Sequence, residues 1–423
     1  MFPTDNSMSA VCQNGTPAQL NYTMPQNLNE REWESGHPVG TMRRGLRFLL
    51  LFFLFFFFLS FFSRDSAAAE SQPRLLISHT TEGLRGVSVV SRDVAWASGT
   101  HGTYLRTVDG GRTWTSTVVP DAEALDFRAA VAFSSDEAFL MSAGPGEQSR
   151  IFHTSDGGGH WQTQFTNTNP KGFFDSMVFW DSKHGVVLGD PIPDEAGKLK
   201  FELLLTDDGQ NWKAVPAAQL PAAIDGEGAF AASNTCLAIV PGAVPADSNI
   251  WFATGGKVAR VFHSGDRGQS WEIFDTPIVH GPESAGIFSI AFRDAMHGVI
   301  AGGDYKRPND DGDNLAFTED GGRTWKLSGP HPLAYFSAVA YDRKVNDQAI
   351  REAEIEKKMR VKAIPLERIF LVGQDFVFDF RPPNNPRRIN GKKKFGIGFN
   401  AVAAYAEGGA LVVGPKGAIV VIP

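Results

Sequence analysis

Thr318-Glu319-Asp320-Gly321-Gly322-Arg323-Thr324-Trp325 places carboxylates, paired glycines, hydroxyls and a large aromatic within eight residues. Taken alone, it reads equally as a catalytic acid beside a flexible loop or as a turn. Recurrence decides between them. Near copies run over Thr107–Trp114, Thr154–Trp161 and Ser264–Trp271, and a copy shortened by one residue runs over Thr206–Trp212. The aspartates Asp109, Asp156, Asp208, Asp266 and Asp320 recur every 47 to 58 residues, a period characteristic of arrays and propellers.

The flanks carry the same period. Each copy lies between short β-rich runs such as Ile151–Thr154 and Trp161–Phe165, with two further strand-like runs upstream. Four strands with turn signals between them make one propeller blade. Innermost strands are expected at 86–90, 127–133, 174–180, 228–233, 287–292, 335–341 and 399–405. The fold class expected is therefore all-β, a seven-bladed propeller of four-stranded blades over residues 73–423. The last blade lacks an outer strand before Pro423, and Leu75–His79 is expected to supply it and close the ring. One short helical insertion is expected in the sixth blade over 347–362, where Glu352, Glu354 and Glu356 precede Lys357, Lys358 and Arg360 at helical spacing.

In this setting the repeated motif is scaffold. The aspartate and the Ser or Thr hydroxyl accept turn N–H groups, and glycine supplies positive φ. Trp114, Trp161, Trp212, Trp271 and Trp325 are expected to bury their rings between blades. Near-identical sites at one blade position do not make one active centre.

The motifs resemble the Asp boxes of bacterial neuraminidase repeats. With blade openings such as D-S-K-H-G-V-V-L-G-D (181–190) and D-A-M-H-G-V-I-A-G-G-D (294–304), the chain from about residue 75 onward resembles photosystem II assembly-factor-like propellers. That resemblance implies an exported, non-catalytic binding module acting as an assembly or stability factor. Asp-box propellers also serve hydrolases and receptors, so the fold alone does not assign an activity. A sialidase would carry an R-I-P motif and an arginine triad. The nearest string here is Phe380-Arg381-Pro382-Pro383, near the C-terminus. The alternatives are a glycoside-hydrolase-like enzyme and a non-catalytic carbohydrate-binding propeller.

Arg43, Arg44 and Arg47, the apolar run Leu46–Phe62 and Ala67–Ala69 have the layout of a secretory signal peptide over 42–69. An uncleaved inner-membrane anchor is the competing reading. Residues 1–41 are polar and aperiodic, and translation is expected to start at Met42. A periplasmic or secreted location follows. Cys12 precedes the signal and leaves Cys236 unpaired, which excludes an intramolecular disulfide. The mild net charge of −7 argues against a nucleic-acid partner. No H-E-x-x-H, C-x-x-C, G-x-S-x-G or dinucleotide fingerprint occurs, and no cofactor or metal is expected.

Loops on the face opposite the repeated turns are the expected functional surface. The longest are 189–200, 241–249 and 303–314. Candidate binding residues are Asp190, Asp194, Glu195, Asp304, Tyr305, Lys306, Arg307, Asp310, Asp311 and Asp313. Oxygen-rich loops suit Ca²⁺, although Asn309–Asn314 lacks EF-hand spacing. His184 and His297 occupy matching turns, which points to a structural role. Arg387, Arg388, Lys392, Lys393 and Lys394 form a basic patch suited to an acidic partner or a membrane surface. The expected partner is a protein or protein complex, with carbohydrate as the alternative.

Overall fold

The computed structural model describes residues 72–240, 248–328, 334–344, 348, 368–374, 377–381, 385–388 and 398–423, without side chains for 378–381 and 385–388. The leader, the signal segment, Lys392–Lys394 and residues 241–247 lie outside them. Every sheet is antiparallel. From the inner strand outward, the first sheet contains Leu84–Val89, Ala95–Gly99, Thr103–Thr107 and Thr115–Val118. The second contains Asp126–Ala132, Ala138–Ala143, Arg150–Thr154 and Gln162–Thr166. The third contains Phe174–Phe179, Gly185–Pro193, Leu199–Thr206 and Lys213–Ala214.

The fourth sheet starts from a two-residue inner strand, Leu237–Ala238, and continues with Ile250–Ala253, Arg260–Ser264 and Glu272–Asp275. In the fifth, Ala285–Phe292, Gly298–Asp304, Leu315–Thr318 and Lys326–Leu327 are joined on their inner side by Gly255–Gly256 and Glu227–Gly228. The sixth contains Phe336–Tyr341, Ile369–Gly373, Val377–Arg381 and Asn385–Arg388. The seventh contains Ala401–Ala404, Ala410–Val413 and Ile419–Ile422, and Arg74–Leu76 completes it. In that last pairing Arg74 faces Val421 and Leu76 faces Ile419.

Each inner strand lies against the next one in chain order, and that of the seventh sheet returns to the first. The cores lie between sheets. Phe127, Phe152, Trp96 and Tyr104 fill the seam of the first and second. Leu76, Leu105, Trp114 and Ile419 fill the seam of the seventh and first. A sheet with apolar residues on both faces needs a neighbour on each side, and a closed ring provides it.

The expected seven-bladed propeller of four-stranded blades with a helical insertion is corrected here. Only six sheets have the four-stranded form, and the remaining one has six strands. The inner strand expected at 228–233 is not one: Glu227–Gly228 pairs with Gly255–Gly256 of the fifth sheet instead. A buried ion pair fixes the segment at the junction of the two sheets: Glu227 accepts hydrogen bonds from Arg260 Nε (2.9 Å), at the end of a fourth-sheet strand, and from Thr254 Oγ1 (2.8 Å), beside Gly255–Gly256. Asn234 then bonds both the N–H and the C=O of Met177 (2.7 and 3.0 Å), standing in for the missing inner-strand contact with the third sheet. The described residues contain one complete helical element, the 3₁₀ turn Gly146–Gln148. Helical backbone occurs at Arg343, Lys344 and Gln348, and the rest of 347–362 lies outside the described residues.

The repeated turns share one hydrogen-bond scheme. The hydroxyls of Thr107, Thr154, Ser264 and Thr318 accept the N–H of the glycine four residues on, at 2.7–3.0 Å. Asp109, Asp156, Asp266 and Asp320 accept the N–H of the residue four on, at 2.8–2.9 Å. In the shortened copy Asp208 accepts from Asn211, three residues on. Trp114, Trp212 and Trp325 are buried between sheets. Asp181 and Asp294 bond the ring Nδ1 of His184 and His297 in matching turns.

These bonds favour the charged carboxylates. Side-chain and backbone hydrogen bonds from Thr113 hold Asp109 at about 2, and those from His160 do the same for Asp156. A folded-state value below the unfolded one gives stability that is full above pH 4 and lost as pH falls toward 2. The melting temperature is therefore expected to drop over that window. Replacing both residues by Asn should lower stability at pH 7 and flatten the acid limb, so that the two melting curves converge near pH 2. A variant limb as steep as that of the parent would show that other carboxylates control acid unfolding.

Candidate functional site

Five of the seven inner strands share an irregularity that re-aims one side chain in each. The register shifts between Leu84 and Gly86, Phe127 and Ala129, Phe174 and Ser176, Ile287 and Ser289, and Phe336 and Ala338. The skipped residues are Arg85, Arg128, Asp175, Phe288 and Ser337. A bulge of this kind turns the extra residue out of the ordinary alternation. Ser337 is short and donates to Phe399 O of the next sheet (2.9 Å). Charge links some of the longer ones. Arg85 acts electrostatically on Arg128 and also on Tyr335, which enters the sixth sheet. The first and sixth sheets are not neighbours, so these groups share the space enclosed by the inner strands.

That space is electropositive. Arg128 donates from Nη1 to Ala231 O (2.7 Å). Burial, then the Arg85 charge, pushes its guanidinium below its ordinary value, while Asp126 and Asp175 pull it back. The Nε atoms of both Arg85 and Arg128 are buried with no hydrogen-bond partner among the described residues. Asp175 does not cancel them. It is 1% exposed, and burial, reinforced by the Asp190 charge, raises its carboxyl well above the usual range. Its Oδ2 is also unpartnered among the described residues. Burial thus disposes Asp175 toward its neutral form, in which it offsets the Arg128 charge less than an ionised acid would, and this favours an anion there.

An aromatic wall continues from the arginines. Phe288 stacks on Phe230 with centroids 3.9 Å apart, and Tyr335 meets it edge-on at 4.8 Å. Tyr305 reaches the same ring at 6.1 Å.

The expected binding residues divide around this centre. Asp190 is engaged internally. Its Oδ1 accepts the Ala229 N–H (3.0 Å), and burial pushes its carboxyl up to about 6. Asp194 caps its own turn through the N–H groups of Ala196 and Lys198. Glu195 is exposed. Asp304, 7% exposed, bonds Lys306 N and Arg307 Nε at 2.9 Å, and Arg307 also faces Asp310 at 3.7 Å. Burial raises the Asp304 carboxyl, and bonds from Ser284, Arg307 and Lys306 outweigh it to leave the value low. Asp190 thus ties the third sheet to the diverted segment, and Asp304 fixes the turn that follows it. Asp311, Asp313 and Lys306 are exposed. Among the described residues no cluster of acids and histidines fits a metal ion. Arg387 and Arg388 lie on the outer strand of the sixth sheet. Tyr305 alone of the expected set joins the central cluster.

Arg85, Arg128, Asp175, Phe230, Phe288 and Tyr335 were missed by sequence reasoning. A signal was present: Leu84-Arg85-Gly86, Phe127-Arg128-Ala129, Phe174-Asp175-Ser176 and Ile287-Phe288-Ser289 repeat apolar–variable–small at one blade position. The variable residue is the bulged one.

The family described as photosynthesis system II assembly factor YCF48 matches residues 66–172, about a quarter of the chain. A search of curated proteins gives no match. Among solved structures, "YCF48 bound to D1 peptide" is 17% identical with a TM-score of 0.56, covering 83% of this chain and 96% of that one. YCF48 from Cyanidioschyzon merolae is 15% identical with a TM-score of 0.53, covering 83% and 98%. U3-55K aligns at 12% identity with a TM-score of 0.54, covering 83% and 98%.

Asp190 offers a direct check on the electrostatics. Its folded value lies above the unfolded one, so ionisation costs stability as pH rises from about 4 to 6, and the cost persists above that. Asp190→Asn keeps the acceptor for Ala229. It is expected to raise stability at pH 7.5 by roughly 1–3 kcal/mol and to change little at pH 4, read from denaturant melts. Equal effects at both pH values would count against a buried, uncompensated carboxylate. The chain is thus a β-propeller whose fold, and whose residues 66–172 in sequence, are similar to the photosystem II assembly-factor propellers.

Proposed function

We propose that this chain is an exported, peptide-binding propeller that acts as an assembly or stability factor, gripping an anionic segment of a partner protein at the ring axis. The observation that carries this reading is the pair Arg85 and Arg128, at the bulges of two inner strands, whose buried Nε donors have no partner among the described residues, with the carboxyl of Asp175 shifted toward its neutral form by burial. Guanidiniums with free donors are the preferred protein ligands for carboxylates. The match over residues 66–172 to an assembly-factor family supports the reading, and one similar propeller is described as bound to a peptide. Export rests on the charged, apolar and small-residue order of 42–69.

A hydrolytic reading gains nothing from the axis. Asp175 is buried, and Asp190 is bonded to backbone. Neither is presented to a substrate as a carboxylate pair requires.

The test is crosslinking and affinity purification of the tagged chain from its native host, with Arg85→Gln and Arg128→Gln variants alongside. One partner protein should copurify with the parent chain. Each variant should reduce recovery about tenfold or more, since a charge-assisted hydrogen bond contributes about 1.5–3 kcal/mol. Undiminished recovery by both variants, with melting temperatures unchanged, would remove the axis from the binding site.

A further inference from the structure

The arginines account for one half of the axial site. The aromatic wall accounts for the other, and it is built with some care. Phe230 lies in the segment diverted from the fourth sheet and packs where Gly255 and Gly286 have no side chain. A Cβ on Gly255 would stand 2.2 Å from the Phe230 ring, and one on Gly286 would stand 2.3 Å from Gly255 Cα. Gly286 and Gly303 also adopt φ of +149° and +133°, and Gly303 abuts Tyr335. Phe288 is the floor, 2% exposed. Phe230 and Tyr335 are partly exposed, and Tyr305 is 47% exposed. Tyr305 is held by its own N–H to Ser284 O (3.2 Å), and Tyr335 N donates to Pro308 O of the same loop (3.0 Å). The loop after Asp304 thus fixes an open aromatic cleft next to Arg85.

We propose that this cleft is a second subsite that takes a large apolar or aromatic side chain of the bound segment. The segment is then recognised by an apolar residue close in sequence to an acidic one. The inference rests on the peptide-binding reading above and adds a selectivity to it. Charge continuity argues for the occupant: the Arg85 charge acts on Tyr335 of the wall, which places the two subsites within the reach of one extended segment. Alternate side chains of an extended peptide enter separate pockets in this way. Aromatic pairing and burial favour Phe, Tyr, Trp or Leu over smaller side chains.

The experiment is an array of immobilised short peptides of randomised sequence, probed with the full chain and with Tyr305→Ala, Tyr335→Phe and Arg85→Gln. The parent chain should enrich Asp or Glu together with a large apolar residue within a few positions. Tyr305→Ala, an exposed change, should lose the apolar preference and keep the acidic one. Tyr335→Phe retains the ring and should keep both, whereas Arg85→Gln should lose the acidic preference. For the best array peptide, Tyr305→Ala should weaken binding about threefold to tenfold by fluorescence anisotropy. It should have no effect on the same peptide with Ala at the apolar position. Acidic enrichment without apolar enrichment, or apolar enrichment that survives Tyr305→Ala, overturns the subsite and leaves the peptide-binding reading standing. Absence of any enrichment overturns both.

Discussion

The pairing of Arg74–Leu76 with Ile419–Ile422 is the constraint on which the rest depends. Each sheet here buries apolar residues on both faces, so every one needs two neighbours. The pairing places the first and last parts of the described fold in one sheet. Leu76 then packs where Gly111 has no side chain, and Trp114 closes over it. On the axial side the same seam is fixed by backbone. Leu84 N donates to Gly414 O (3.0 Å), and Leu84 O accepts from Asn400 Nδ2 (2.7 Å). Both polar groups of the residue before Arg85 are therefore held by the seventh sheet. Closure of the ring and the position of Arg85 are one structural event.

The bulges explain how a repeated scaffold carries a site that does not repeat. The residues on either side of each bulge are committed: one is apolar and enters a seam between sheets, and the other is small where the next strand approaches. Ser289, in the small position, accepts the Val339 N–H (2.9 Å). The bulged residue is freer: it is Arg, Arg, Asp, Phe and Ser in turn, and of these Ser337 bonds the next sheet. The repeated turns are the reverse case. Their Asp and Thr side chains satisfy backbone N–H groups that would otherwise be unpaired, so identity is imposed there copy after copy.

This contrast decides what was legible in the sequence. Turn chemistry is local, so the five aspartates and their tryptophans could be read directly, down to the one-residue deletion before Trp212. Leu75–Leu76 could be assigned because an orphaned apolar run matched a sheet short of one strand. The segment 224–238 could not. Its run of small and apolar residues resembles a strand, but the diversion depends on Glu227 meeting Arg260 and Thr254, a contact that local pattern does not encode. The axial residues were hidden for a related reason. A charged residue within an apolar strand reads as a solvent-facing position unless the bulge is known. Reasoning from loop length led instead to Asp190 and Asp304, whose carboxylates prove to be fasteners.

The irregular part of the ring and its aromatic half have the same origin. The fourth sheet gives up most of its inner strand, Gly255–Gly256 and Glu227–Gly228 are added to the fifth, and Phe230 is delivered onto Phe288. Glycine weakens a strand unless a close approach requires it, and Gly255 and Gly286 lie where Phe230 makes that approach. Departures from local rules mark functional sites more often than they mark defects. Here a buried ion pair, two glycines and a shortened strand all break the repeat at one place, and their common product is an apolar surface beside two incompletely bonded arginines.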